Sequence, residues 1–250
     1  MAARPIRIVP LHRPSELFVP GRRAKAPAAE LTFRGGPLLT SVQVFSVFWG
    51  AAWQQPPQQP LMQSLNGFLQ FVVTSAYVDQ LGEYNTPGQA IGHGRYTGTA
   101  TVTDPAPGSS VNDSAIQQML ERQVAGKALP AATPNSLYCV WLPSGVTVVS
   151  ANERSCQVFC GYHDRSPGGL YYAVLPYPDC AGCLGGLPPL DALTSVASHE
   201  LAEAITDPVP GQGWYDDTNG EIGDVCAWQN KKLGSYTVQL LWSNRVNGCI

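Results

Sequence analysis

Apolar positions along this chain follow two different rhythms. Short runs dense in β-branched and aromatic residues, "SVQVFSVFWG", "SLYCVWLP", "GVTVVS", "GLYYAVLPYP" and "SYTVQLLWS", read as strands, with "YTGTATVTD" as a further short one. In "LMQSLNGFLQFVVTSAYVDQLGEY" the apolar positions Leu61, Leu65, Phe68, Leu69, Val72 and Ala76 instead follow helical spacing. A second helix is predicted over "DSAIQQMLERQVAGK", capped by Asn112 or Asp113, with Ile116, Met119, Leu120 and Val124 facing inward. A third is predicted from Asp191 to Thr206. It ends at Asp207-Pro208, because the residue before a proline is driven out of helical conformation. This order predicts an α+β fold, a mixed β-sheet backed by helices. Residues 1–33 are expected to be an extended N-terminal segment and 34–250 a single domain. "LYYAVLPYP" is expected at a sheet edge, where it could pair with an extended substrate backbone.

The third helix carries the candidate chemistry. "SVASHELAEAITDP" has the form H-E-x-x-E, the zincin pattern H-E-x-x-H with its second histidine replaced by Glu203. Residues four apart share a helix face, so His199 and Glu203 can point at one ion with Glu200 beside them. These three are the only ionisable side chains between Asp191 and Asp207. A helix this apolar is mostly buried, and a buried carboxylate needs a cation or several donors. No Lys or Arg lies on the helix, which favours a metal over an incidental His-Glu pair on a half-exposed helix end. The order of elements follows the layout of zincin-like metallopeptidase domains, with this segment as the active-site helix.

A zinc site needs a third ligand from elsewhere. "GEIGDVC" offers Asp224 first and Glu221 second, and His163 in "CGYHDR" is a further candidate. His163, Tyr215 or Tyr236 could instead stabilise an oxyanion. One Zn²⁺ is expected. Two carboxylates with one imidazole also suit harder ions, so Mn²⁺ or Ca²⁺ would compete. The expected reaction is hydrolysis of a peptide or protein substrate with Glu200 as general base. The competing expectation is a non-catalytic extracellular protein that binds wall polymers or signals, with a structural metal. His93, in a Gly-rich loop, and His12, in the N-terminal segment, are assigned no role.

Composition narrows the surroundings. Of 250 residues, 44% are apolar, ample for a core. A net charge of -3 without a basic run argues against nucleic-acid binding. No apolar stretch approaches the ~20 residues that cross a bilayer, and a monomer is expected. The first thirty residues lack the apolar core of a signal peptide, so no export signal is expected within this chain. The seven cysteines include C-x3-C and C-x2-C pairs at Cys156, Cys160, Cys180 and Cys183. These could hold a structural zinc or form disulfides, and disulfides are favoured because only "CAGC" has the turn of a zinc knuckle. Cys226 and Cys249 would pair across the last hairpin, leaving Cys139 as the odd thiol. A thiol oxidoreductase built on "CAGC" is disfavoured, since the motif does not open a helix after a strand.

"FRGGPLLTSVQVFSVFWGAAW", "CQVFCGYHD", "CAGC", "ASHELAEAITDP", "GEIGDVCAW" and "YTVQLLWSNRVNGCI" occur in that order. Together they resemble the EXORDIUM-like (phosphate-induced) secreted proteins, in a bacterial-type form, from about Arg34 onward. The resemblance implies a secreted or cell-wall-associated protein and supports disulfides over a cysteine-bound zinc. It implies no particular enzymatic activity.

Overall fold

The computed structural model describes residues 8–12 and 29–250. At its centre lies a six-stranded mixed sheet, ordered β1 (Ile8–Pro10), β9 (Phe159–Arg165), β10 (Tyr171–Pro176), β6 (Ser136–Leu142), β3 (Gln43–Trp49) and β4 (Arg95–Val102). β10, β6, β3 and β4 run parallel, β9 is antiparallel to β10, and β1 is antiparallel to β9. The fold is therefore mixed α+β.

The middle strands are buried on both faces, and their side chains alternate between two cores. On β6, Leu137, Cys139 and Trp141 join one core with α1 (Gln58–Val72) and α5 (Pro189–Thr206). Tyr138, Val140 and Leu142 join the other with α3 (Asp113–Ala125) through Ile116, Met119 and Leu120. As predicted, Asn112 caps α3, its side chain accepting the Ala115 N–H at 2.8 Å.

Two sequence expectations need correction. "LYYAVLPYP" is not an edge strand, because β10 is hydrogen-bonded on both sides, to β6 and β9. The apolar run after Leu61 is not one helix either. It breaks at Thr74-Ser75, where Ser75 caps a short α2 (Ala76–Asp79) by accepting the Tyr77 N–H, and a 3₁₀ turn over Gln80–Tyr84 follows. A serine that offers its own cap outcompetes continuation of the helix.

The described part of the N-terminal segment lies against the body. Ile8–Pro10 extends the main sheet, and β2 (Thr32–Phe33) pairs with β11 (Trp214–Tyr215). Residues 1–7 and 13–28 lie outside the described residues. A small sheet of β5 (Ser110–Asn112), β7 (Thr147–Ser150) and β8 (Glu153–Arg154) completes the α3 side. α4 (Ala181–Leu184) precedes α5. The hairpin of β12 (Asn230–Leu233) and β13 (Tyr236–Gln239) packs against α5, and β14 (Trp242–Ser243) pairs with β15 (Gly248–Cys249).

All four middle cysteines form disulfides, Cys156–Cys180 and Cys160–Cys183, which tie the start of β9 to α4 and leave no thiolates for a zinc knuckle. Cys226–Cys249 ties the loop after α5 to the last strand, and Cys139 is free and buried. Replacing Cys226 and Cys249 together by Ser should cost about 2–4 kcal/mol of stability. Urea unfolding of the oxidised wild type and the double variant measures this; equal midpoints would show that the bridge does not constrain the loop.

Candidate metal centre

Helix α5 is buried at every position from Ala192 to Thr206. Its apolar sequence lets it lie between the main sheet and the β12–β13 hairpin, with contacts to β9, β10 and β13. His199, Glu200 and Glu203 are carried into the interior with it, each at 0% exposure. β9 brings His163, and the loop after α5 brings Glu221 and Asp224.

Two glycines make this approach possible. A side chain at Gly223 would stand 2.8 Å from the His199 ring and 2.9 Å from Glu203 Oε1, so only glycine lets the loop cross there. A side chain at Gly161 on β9 would meet Val196 at 2.6 Å and Glu200 Oε1 at 3.1 Å. The loop is anchored by Asp207, whose carboxylate accepts the N–H groups of Gly211, Gln212 and Gly213. The residue that ends the helix thus also folds the segment that returns over it.

His199 is oriented by Gln239 of β13. The Gln239 amide is fixed by donating Nε2–H to the Gly223 carbonyl at 2.9 Å and accepting the Trp228 N–H at 3.0 Å. Its oxygen therefore faces His199 and accepts from Nδ1–H at 3.1 Å. Nε2 is left pointing at Glu203 Oε1, 2.8 Å away, with Asp224 Oδ1 at 3.8 Å. The short Nε2–Glu203 approach is not a hydrogen bond by geometry, and Nε2 has no such partner. A ring turned by its far nitrogen toward two carboxylate oxygens is the arrangement of a histidine metal ligand.

Other buried ligand atoms also have no hydrogen-bond partner among the described residues: Glu200 Oε1, Glu203 Oε2, Asp224 Oδ1 and both oxygens of Glu221. Among the described residues, no Lys or Arg forms an ion pair with any of them. Potential ligand atoms converge in two overlapping sets within 4.8 Å, His199-Glu203-Asp224 and His163-Glu200-Glu203. Glu221 lies on the second side, its Oε1 3.5 Å from His163 Nε2, whereas Asp224 belongs with His199. The donor set of one imidazole and several carboxylates therefore fits a divalent cation.

Electrostatics point the same way. Burial opposes charge on His199, yet Glu203, Glu200 and Asp224 outweigh it and hold its pKa up at about 10. Burial likewise opposes charge on His163, and Glu221 and Glu200 raise its pKa well above the usual value. Burial pushes Glu200, Glu221 and Asp224 upward toward their neutral forms. Protons are drawn into a site whose carboxylates otherwise lack a counter-charge.

His163 holds Glu200. Its Nε2–H donates to the Asp207 carbonyl at 3.1 Å, and Nδ1 lies 3.1 Å from Glu200 Oε2. Tyr215 sits in β11 with the Arg34 guanidinium 5.7 Å from its ring centroid, and Tyr236 packs on Phe68 and Phe71. His93 pairs with Asp79 at 2.9 Å, and His12 packs edge-on to Trp228. Sequence reasoning missed Gln239 and Asp207. The available signals were a lone amide in the apolar run "YTVQLLWS" and the Asp-Pro that closes the helix.

The chain is thus a disulfide-bonded α+β protein with a buried cluster of metal-ligating side chains. No protein-family model matches it. Two curated proteins of Arabidopsis thaliana are similar over most of the chain. Protein EXORDIUM-like 5 is 24% identical over 240 residues, covering 78% of this chain and 63% of its own length. Protein EXORDIUM-like 3 is 23% identical over 262 residues, covering 84% and 73%. The chain is a homologue of the EXORDIUM-like proteins and spans 63% of the length of the first of these relatives. Those homologues and the three disulfides fit an extracellular protein. No helix among the described residues is long and apolar enough to cross a membrane.

Replacing Gln239 by Leu removes the acceptor that orients His199. Zinc affinity should fall by about 10–100-fold with the fold intact. Competition with a chromophoric chelator measures this, with near-UV circular dichroism as the control; unchanged affinity would remove Gln239 from the site.

Proposed function

We propose that this chain is a secreted zinc-dependent metallopeptidase, with His199, Glu203 and Asp224 as metal ligands and Glu200 as the general base. The observation that supports it most is the convergence of fully buried ligand atoms without hydrogen-bond partners, to which no Lys or Arg among the described residues pairs. Zinc, when bound, supplies Lewis acidity that polarises a carbonyl and makes water nucleophilic near neutral pH. The protein's own part is proton handling and positioning. Glu200 Oε2 is held by His163, while Oε1 has no hydrogen-bond partner and can accept a proton. Because both ring nitrogens of His163 are engaged, its role in this reading is to position Glu200 rather than to donate to an oxyanion.

A second reading is favoured by the enclosure of the cluster, whose His199, Glu200, Glu203 and Glu221 are all at 0% exposure. In it the cation has a structural role, clamping the loop after α5 onto the helix of a non-catalytic extracellular protein.

Elemental analysis and a fluorogenic peptide library separate the two. The wild type should carry about one zinc per chain, and His199→Ala should lose it. Glu200→Gln should keep the zinc while hydrolysis falls by about 10²–10⁴-fold. A zinc-loaded wild type that cleaves no peptide would leave the structural reading in place. Absence of zinc would sink the peptidase reading, and absence of any divalent metal from the wild type would sink both.

A further inference from the structure

The edge of the main sheet beside Glu200 is occupied by the chain's own residues 8–12. Ile8 and Val9 stand opposite Tyr162 and Gly161 of β9, with a bulge before Pro10. Directly opposed residues of an antiparallel pair direct their side chains to the same face. A side chain at Gly161 would run into Val196 and Glu200, so Val9 points toward the flank of α5 that carries Glu200. Val9 is 1% exposed and shares its core with Val196 and Ala197.

The other bonds that hold this segment use its main chain. Trp228 donates Nε1–H to the Pro10 carbonyl at 2.6 Å, and the His12 N–H donates to the Gly182 carbonyl at 2.8 Å. Leu11 packs against Gly182, and the His12 ring meets Trp228 edge-on. The groove walls are rigid, because Cys160–Cys183 joins β9 to the α4 turn and Trp228 follows the bridged Cys226 by two residues. A strand ladder, two further backbone bonds and one aliphatic pocket are terms that an extended peptide of many sequences can satisfy.

We propose that this groove, formed by β9, the α4 turn and Trp228, is a peptide-binding site. Its ligand is an extended peptide with a small aliphatic residue at the Val9 position, and residues 8–12 hold it closed by occupying it. The assignment deepens the peptidase reading and rests on it for the consequence that a bound peptide lies alongside Glu200. The groove itself stands on the contacts of residues 8–12 with β9, the α4 turn and Trp228. A ligand must displace residues 8–12, so the apparent affinity of the intact chain is reduced by the fraction of time the groove is open.

Val9→Asp in the full chain places a carboxylate against Val196 and Glu200 and should expel the strand. Fluorescence anisotropy with a labelled peptide of sequence RIVPLHR (residues 7–13) reads the result. The variant should bind this peptide at least about 10-fold more tightly than the wild type. The same peptide carrying Val9→Asp should not bind. If Val9→Asp fails to fold, Val9→Gly empties the aliphatic position without adding a charge and leaves β9 and Trp228 intact, and should also raise affinity over wild type. A folded variant in which hydrogen exchange shows β9 deprotected, yet which binds no peptide, would overturn the proposal. So would equal binding by wild type and variant. Mass spectrometry of the recovered peptide keeps the readings apart, since tight binding without cleavage leaves the groove standing and counts against hydrolysis.

Discussion

A concentration of buried carboxylates that no Lys or Arg among the described residues pairs with governs the arrangement around α5. Glu200, Glu203, Glu221 and Asp224 come from the helix and the loop behind it, and their only charged partners within the cluster are two imidazoles. Removing a carboxylate from water costs several kcal/mol, so an arrangement with this many unpartnered oxygens calls for a cation. Burial drives Glu200, Glu221 and Asp224 toward neutrality, and the carboxylates in turn hold both imidazoles toward protonation.

The same charge explains the order of the surroundings. Gly223 and Gly161 keep the loop and the strand close enough for their neighbours to share one site. Asp207 folds the loop back, Cys226–Cys249 pins its far end, and Gln239 turns His199 to face inward. These contacts come from residues with no chemistry of their own at the centre. They set the distances on which binding and any catalysis depend, because a ligand misplaced by an ångström forfeits most of its contribution.

Enclosure and access are in tension here. Full burial strengthens every electrostatic interaction in the cluster, and under the peptidase reading it would also keep a substrate out. The chain's N-terminal strand lies on the one flank where β9 would otherwise present a free edge, next to Gly161. β1 also packs on α5, where its Val9 shares a core with Val196 and Ala197.

The periodicities located the strands, the two amphipathic helices and α5, because each carries its apolar pattern locally. The spacing of His199, Glu200 and Glu203 was equally legible, since four residues of helix bring side chains together whatever surrounds them. Local pattern could not decide that β10 lies inside the sheet, because burial on both faces makes an apolar run look the same at any sheet position. Nor could it bring His163, Glu221, Asp224 and Gln239 to one point from three places along the chain. The Cys226–Cys249 pair matches the sequence expectation, but how the middle four cysteines pair, which glycine passes beneath which carboxylate, and how the Gln239 amide turns are settled by packing between distant segments. Residue types and their local spacing set the chemistry available, while long-range packing selected which groups meet, because away from water each of them depends on the others.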